Sequence, residues 1–163
     1  MERLTPEVIQ QDLQQRAGVS VTVEEGALIV QPEDLLTVCR LLKDTEPYRL
    51  DYLSNVCGVD YLGEHARLET VYHLYSMEKK QGPVQLKVRV PRDDPHQPSV
   101  VSLWRGAEFQ EREAYDLYGI IYDGHPDLRR ILMWDEFEGH PMRKDYVQED
   151  QDALKSRARN STP

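Results

Sequence analysis

Cysteine is scarce in this sequence, and neither of its two copies lies in a CxxC pair. Iron–sulfur clusters usually need four cysteine thiolates, so the sequence argues against a cluster and predicts that Cys39 and Cys57 are unpaired, reduced thiols. Long hydrophobic runs are also missing, since no stretch approaches the ~20 apolar residues that span a bilayer and the N-terminus lacks a signal-peptide pattern. We therefore expect a soluble, cytoplasmic chain without a redox centre of its own.

The chain also lacks a surplus of positive charge. It holds 20 Lys and Arg against 29 Asp and Glu, a net charge of -9, and no local basic patch outweighs that balance. Because an acidic surface repels phosphate backbones, we expect no nucleic-acid partner. The 163 residues suit one domain, and a mean hydropathy of -0.66 with 39% apolar residues indicates a modest core beneath a polar surface.

The N-terminal half contains clear helix and strand patterns. Capping and proline signals predict one helix from residue 5 to Gly18 and another from Pro32 to just before Pro47. Alternating apolar residues predict a hairpin over 19–30 and strands over 50–61, 67–76 and 84–90. The triplet Gln81-Gly82-Pro83 is predicted to be a turn. The predicted fold class is α+β, a small, mostly antiparallel sheet with packed helices.

The C-terminal half is predicted to be less regular. Residues 92–98 contain two prolines and predict a loop, 106–118 predict a charged helix ended by Gly119, and 120–147 predict a long extended tail. An irregular segment of that length is typically functional or bound to something else. The chain is thus divided into an α+β domain, a signature helix with an extended interface segment, and a polar, flexible tail, at 1–91, 92–147 and 148–163.

The charged helix allows a structural and an enzymatic interpretation. Glu108, Arg112 and Asp116 are spaced four residues apart, which predicts an ion-pair ladder along one helix face. In the enzymatic alternative, Glu111 or Glu113 acts as a general acid or base with His125 as its partner. The sequence offers neither a nucleophile motif nor a phosphate-binding glycine loop to complete such a site, so the structural interpretation is favoured.

The motif Gly-His-Pro occurs twice, at 124–126 and 139–141. Two histidines near carboxylates raise the possibility of a metal site, yet neither belongs to an i, i+4 histidine pair and no cysteine is close in sequence. Gly-His-Pro is an ordinary turn sequence, because proline fixes the backbone. The motif therefore predicts two turns in which His125 and His140 each make local hydrogen bonds.

The two tryptophans have different predicted environments. Trp104 is expected to fill the core. Trp134 belongs to an apolar cluster in a segment without regular structure, together with Ile131, Leu132, Met133 and Phe137. Such a cluster must be covered, either by the domain's own sheet or by another subunit.

The runs EREAYDLYGIIYDGHPDLRRIL at 111–132 and FEGHPMRKDY at 137–146 resemble the C-type subunit of respiratory complex I, the 30-kDa subunit family of NADH-quinone oxidoreductase. The residues MWDE at 133–136 differ from the sequence pattern of many members of that family. The resemblance marks as signature or interface positions Glu111, Arg112, Glu113, Asp116, Leu117, Tyr118, His125, Arg129, Ile131, Trp134, His140, Arg143 and Lys144.

The resemblance implies a non-catalytic structural subunit in the peripheral arm of a proton-translocating NADH:quinone oxidoreductase. Such a protein braces the D-type large subunit, which forms the quinone site, against the iron–sulfur subunits. The resemblance implies no catalytic, cofactor or metal residue on this chain, since FMN and the iron–sulfur clusters belong to partner subunits. The expected location is the cytoplasmic side of the inner membrane, reached only through the complex.

Three alternatives remain at this stage. The chain could be the equivalent subunit of an energy-converting membrane hydrogenase or of a ferredoxin-driven complex. It could be a free-standing acid–base hydrolase that uses Glu113 and His125. It could also be a metal-binding regulatory module.

Overall fold

The computed structural model describes residues 4–63 and 65–147, so the predicted flexible tail at 148–163 lies outside the described residues. Three α-helices and one 3-10 turn, Pro32–Asp34, pack with two sheets. The helices are α1 Pro6–Ala17, α2 Leu35–Asp44 and α3 Ala107–Tyr118. The strands are β1 Thr22–Glu24, β2 Ala27–Val30, β3 Tyr52–Tyr61, β4 Arg67–Ser76, β5 Gln81–Pro91, β6 His96–Pro98 and β7 Ile121–Asp123.

The main sheet has five strands in the order β1-β2-β5-β4-β3. Only the β2 and β5 pair is parallel, while the hairpin β1-β2 and the meander β3-β4-β5 are antiparallel. The predicted α+β class and mostly antiparallel sheet are therefore confirmed. Both predicted N-terminal helices are also confirmed, and Gly18 ends α1 in the left-handed conformation, with φ of 65°.

One hydrophobic core joins one face of the main sheet to the apolar sides of the helices. On β5 the alternation is regular, because Val84, Leu86, Val88 and Val90 are buried while the residues between them are half-buried. Trp104 is buried as predicted, and its indole N–H donates to the carbonyl of Leu50 at 3.3 Å. Both cysteines, which were predicted to be unpaired, are free thiols in the structure.

Two connections differ from the predictions. The predicted turn at 81–83 is wrong, because β5 begins at Gln81 and the turn lies at 77–80. The pairing of β5 with β2 starts only at Leu86, so the beginning of β5 has an open side that tolerates Pro83. Gly82 is required there, since a Cβ would lie 2.6 Å from the ring of Tyr75.

The predicted loop at 92–98 is wrong in its second half. Residues 96–98 form β6, which pairs in parallel with β7 in a separate two-stranded sheet. The sequence His-Gln-Pro has no strand pattern of its own, so this short pairing depends on the position of β7 rather than on local preference.

Helix α3 packs against β3, the last strand of the main sheet. The backbone N–H of Val56 donates to Oε1 of Gln110 at 2.6 Å, so a side chain of α3 satisfies a donor on β3. Gly58 lies under the ring of Tyr118, and a Cβ at this position would be 2.5 Å from that ring. The close approach of helix and strand therefore depends on glycine at position 58. Within the described part of the chain, no helix has the length and apolar character needed to cross a membrane.

Gly58→Ala should lower the free energy of unfolding by about 1–3 kcal/mol, because Tyr118 must move to admit the new methyl group. Urea denaturation measures the change. Gly106→Ala is the matched control, since its Cβ would have only one neighbour within 4 Å, the Leu53 carbonyl at 3.9 Å. The control should change stability by less than about 1 kcal/mol. Equal stability of the two variants would contradict the packing of Tyr118 on Gly58.

Candidate interface site

Two buried side chains of opposite charge on α3, Arg112 and Asp116, hold the chain that follows β7. We call them the clamp pair. Arg112 is 5% exposed, and its guanidinium donates from Nε to the carbonyl of Arg129 at 3.1 Å and from Nη2 to that of Arg130 at 3.0 Å. A guanidinium here replaces the strand or helix partners that these carbonyls lack.

The Asp116 carboxylate is fully buried and binds the next stretch of backbone. Its Oδ2 accepts the N–H groups of Ile131, Leu132 and Met133 at 3.0, 2.7 and 2.8 Å. Its Oδ1 accepts Nη1 of Arg130 at 2.6 Å. Burial alone would raise the pKa of Asp116, but these hydrogen bonds together outweigh it and hold the pKa below its ordinary value. The carboxylate is therefore charged and fully partnered.

The predicted ion-pair ladder of Glu108, Arg112 and Asp116 is wrong. Arg112 binds backbone carbonyls, and Asp116 pairs with Arg130 instead. The reason is that residues 129–133 have backbone donors and acceptors without regular secondary structure to satisfy them. Buried groups of this kind need partners, and the two α3 side chains supply them.

The chain after residue 133 then returns to the C-terminal end of α3, where the last helical carbonyls need hydrogen-bond donors. Nδ1 of His140 donates to the carbonyl of Asp116 at 3.0 Å, and the N–H of Met142 donates to that of Leu117 at 3.1 Å. Nε of Arg143 donates to the carbonyl of Tyr118 at 2.6 Å. The segment therefore caps the helix from which the clamp pair projects.

Gly119 makes this capping possible. It ends α3 in the left-handed conformation, with φ of 75°, and its N–H donates to the carbonyl of Tyr115 at 2.8 Å. A Cβ at this position would lie 2.5 Å from Nε2 of His140 and 2.9 Å from Nη2 of Arg143. Burial lowers the pKa of His140, so the imidazole is held in its neutral form beside Arg143.

A second buried carboxylate fixes the far end of the segment. Asp60, on β3, accepts the N–H of Lys144 at 2.7 Å and pairs with the guanidinium of Arg92. Arg92 also donates to Asp145 at 2.5 Å. Sequence reasoning missed Asp60 and Arg92, because the contacts join residues far apart in the chain and neither residue belongs to a motif. Residues 129–146, which we call the docked segment, are thus held at both ends.

Glu111 has a separate task, on the side of α3 that faces the chain before the helix. It is fully buried, and it accepts Oγ–H of Ser99 at 2.6 Å and the N–H of Val100 at 2.8 Å. Burial raises the pKa of Glu111 to about 7, against the effect of these two hydrogen bonds. Glu111 therefore has donors but, unlike Asp116, forms no ion pair among the described residues.

The acid–base pair of the enzymatic alternative is not assembled. Glu111 is bound to Ser99 and Val100, and Glu113 is exposed, whereas both ring nitrogens of His125 bond to backbone groups. Nε2 donates to the carbonyl of Glu108 at 2.9 Å, and Nδ1 accepts the N–H of Asp127 at 3.0 Å. The predicted local hydrogen bond is confirmed for His125, whose Nδ1 binds the N–H of Asp127 two residues later. It is wrong for His140, whose Nδ1 binds the carbonyl of Asp116 on α3, 24 residues away. Across residues 4–63 and 65–147, no three His, Cys, Asp or Glu side chains are arranged to hold a metal ion.

The outer side of the docked segment is apolar. Ile131, Leu132 and Trp134 are 37%, 56% and 46% exposed, and we call these three residues the ridge. Trp134 also packs edge-on against Phe137, with ring centroids 4.8 Å apart. The domain's own sheet does not cover the ridge.

Of the other signature positions, Arg129 is an exposed partner of Asp127, and the Lys144 side chain is exposed.

The fold and this site define a class: an α+β domain that fixes an extended C-terminal segment through buried charged side chains on its last helix. The chain belongs to the family of the respiratory-chain NADH dehydrogenase 30 Kd subunit, whose model matches residues 28–152. The resemblance found in the runs at 111–132 and 137–146 is confirmed.

Relatives of known name are similar to much of the chain. A C-type subunit of NADH-quinone oxidoreductase from Rhizobium meliloti (strain 1021) is 51% identical over 120 residues, which is 74% of this chain and 65% of the relative. The C-type subunit from Salinispora arenicola (strain CNS-205) is 49% identical over 129 residues, 77% of this chain and 52% of the relative. The matched region thus spans about half to two thirds of the length of these curated relatives.

Solved structures share the fold. The trypsin-resistant fragment (1-134) of Nqo5 aligns with a TM-score of 0.55 and 28% identity, over 75% of this chain and 98% of the fragment. A chain of the membrane-bound sulfane sulfur reductase, an archaeal respiratory membrane complex, aligns with a TM-score of 0.67 over 94% of this chain and 90% of that chain. At 22% identity, the second likeness shows the fold alone.

Asp116→Asn should lower the free energy of unfolding by about 3–5 kcal/mol, because Arg130, whose side chain is only 16% exposed, and three backbone amides lose the fully buried carboxylate that they share. The same change should release the amide protons of residues 131–133 to faster hydrogen exchange in the native state. Asp44→Asn is the control, because Asp44 is exposed and its surface pair with Lys43, at 3.9 Å, should contribute less than about 1 kcal/mol. Unchanged exchange at 131–133 in Asp116→Asn would contradict the clamp.

Glu111→Gln should reduce the pH dependence of stability. The pKa of Glu111 in the folded protein, about 7, lies above its value in the unfolded chain. The contribution of Glu111 to the free energy of unfolding is therefore fully present below the unfolded pKa and is lost as the pH rises through 7. At pH 9 the loss should be on the order of 3 kcal/mol, and Glu111→Gln should be the more stable form there. The measurement is urea denaturation of both proteins from pH 5 to 9. Exposed Glu113→Gln should retain the native pH profile.

Proposed function

We propose that this chain is a structural subunit of the peripheral arm of a proton-translocating NADH:quinone oxidoreductase. In this proposal it braces the D-type large subunit, which forms the quinone site, against the iron–sulfur subunits. The names of its relatives support the complex, and the docked segment supports a structural part in it. The flavin and the clusters are carried by partner subunits, and this chain holds no cofactor.

The proposal rests mainly on what the charged signature residues of α3 bind. Glu111, Arg112 and Asp116 each bind groups of this same chain, and all three are buried. Groups engaged in this way are not presented to a substrate. What they present at the surface is a fixed segment with an apolar outer side, which is the composition of a protein interface.

The proposed location follows from the proposed partners. The chain would associate with the cytoplasmic side of the inner membrane through the other subunits. It would therefore leave the membrane fraction when the complex is dissociated, without detergent extraction of the chain itself.

The test is to tag the chain in its native organism and to capture it from gently solubilised membranes. The co-purifying subunits are then identified by mass spectrometry. NADH-to-quinone electron transfer by the captured material is assayed in parallel. A quinone-site large subunit, cluster-bearing subunits and activity together would support the proposal. A large subunit with nickel-ligating cysteines would instead identify a membrane hydrogenase, and a soluble monomer would overturn the structural assignment.

Arg112→Ala should lower the yield of assembled complex severalfold, because the carbonyls of Arg129 and Arg130 lose their donor and the docked segment loosens. Arg129→Ala should lower the yield less, since its side chain is 66% exposed and, among the described residues, forms an ion pair with Asp127 alone. Complex that still forms should retain its full flavin and iron content per large subunit. Native yields from both variants, or loss of cofactor from the assembled complex, would count against a purely structural part.

A further inference from the structure

The ridge faces outward because of how its backbone is attached. The N–H groups of Ile131, Leu132 and Met133 converge on one carboxylate oxygen of Asp116, so this backbone faces α3. Side chains that could have turned inward are left on the outer side, where Leu132 is 56% and Trp134 46% exposed. The ridge is therefore a consequence of the clamp.

The charged residues that follow the ridge in the chain are acidic. Asp135 and Glu136 follow Trp134 directly and are both exposed, and residues 131–138 contain no Lys or Arg. Of the two preceding cations, Arg130 is directed inward to Asp116 and to the carbonyl of Gly139, and exposed Arg129 is paired with Asp127. An apolar surface with an acidic border is complementary to an apolar pocket with a basic border.

We propose that the ridge docks into an apolar pocket of the partner protein, and that Lys or Arg side chains of the partner border this pocket and face Asp135 and Glu136. This inference rests on the proposed function, since it describes the partner surface that receives the docked segment. It names one partner chemistry, a basic-bordered protein pocket. An anionic membrane surface would repel the same acidic border.

The docked segment is formed before the partner arrives. Its contacts to Asp116, to the end of α3 and to Asp60 are all made within this chain. A preformed segment loses little conformational entropy on docking, so its exposed side chains contribute directly to affinity. Apolar anchors at the centre of such an interface carry much of the binding energy, and charges at its border set orientation and salt dependence.

The experiment compares variants of the tagged chain in the assembled complex, which is purified at low salt and then challenged with rising NaCl. Asp135→Asn with Glu136→Gln removes the acidic border, and Asp135→Lys with Glu136→Lys reverses it. The matched control reverses two exposed acidic residues elsewhere, Glu33→Lys with Asp93→Lys. Leu132→Ala tests the apolar contact, because its exposed side chain can be shortened without disturbing the core.

We call Asp135→Lys with Glu136→Lys the reversed pair and Asp135→Asn with Glu136→Gln the neutral pair, and retention is the fraction of partner subunits that stays bound to the tagged chain. The reversed pair should lower retention about tenfold. The neutral pair should lower retention less and should make it depend less on the NaCl concentration. Leu132→Ala should lower retention at every salt concentration. The control should behave as the native chain. Equal or better retention of the neutral pair would overturn the basic-bordered pocket.

The two proposals fail in different ways. If the native chain captures no oxidoreductase subunits, the proposed function itself fails before any variant is compared. If the native chain assembles and the neutral and reversed pairs both match the control, only the inference about the partner pocket fails.

Discussion

The buried carboxylate of Asp116 is the constraint on which the C-terminal half of the structure depends. It accepts three consecutive backbone N–H groups and one guanidinium, while Arg112, one helical turn earlier, donates to the two carbonyls just before them. Two side chains thus provide the hydrogen bonds that a neighbouring strand would otherwise provide. A buried charge without partners would destabilise the domain strongly, so helix and segment are ordered together or not at all. Arg130 and Arg143 of the docked segment also donate to carbonyls at the C-terminal end of α3, where the helix dipole favours cations.

Two carboxylates on the same helix show how partners, rather than burial alone, decide the charge state. Asp116 and Glu111 are both fully buried. The pKa of Asp116 is held low because several amides and Arg130 bind its ionised form, whereas burial raises the pKa of Glu111 to about 7 with only two donors nearby. The domain therefore has one permanently charged attachment, to the segment after α3, and one titratable attachment, to the chain before it.

The sequence predicted the parts of the fold that local pattern determines. Both N-terminal helices, the five strands of the main sheet and α3 follow from periodicity, capping residues and glycine at helix ends. The strand pair β6 and β7 was not predicted, because neither strand has alternating apolar and polar residues and their pairing depends on tertiary position. The i, i+4 spacing on α3 predicts an ion-pair ladder along one helix face, and that prediction is wrong. Spacing along one helix does not reveal that the backbone of a distant segment binds the same charged side chains. Asp60 could not be identified at all, since its partner Lys144 is 84 residues away.

The residues that carried the family resemblance include both inward and outward positions, and the inward ones have the most demanding contacts. Glu111, Arg112 and Asp116 are buried and bind this chain, and Gly119 leaves room for His140. The four residues that depart from the wording of the resemblance, 133–136, lie on the docked segment and include the exposed Trp134, Asp135 and Glu136. The clamp needs particular side chains, because few residues can bind three amides or two carbonyls from within a helix. The outer side of the segment makes fewer contacts within this chain, so its side chains are less constrained by the fold. The inner side therefore fixes the segment to α3, and the outer side is the surface that the proposal assigns to the partner.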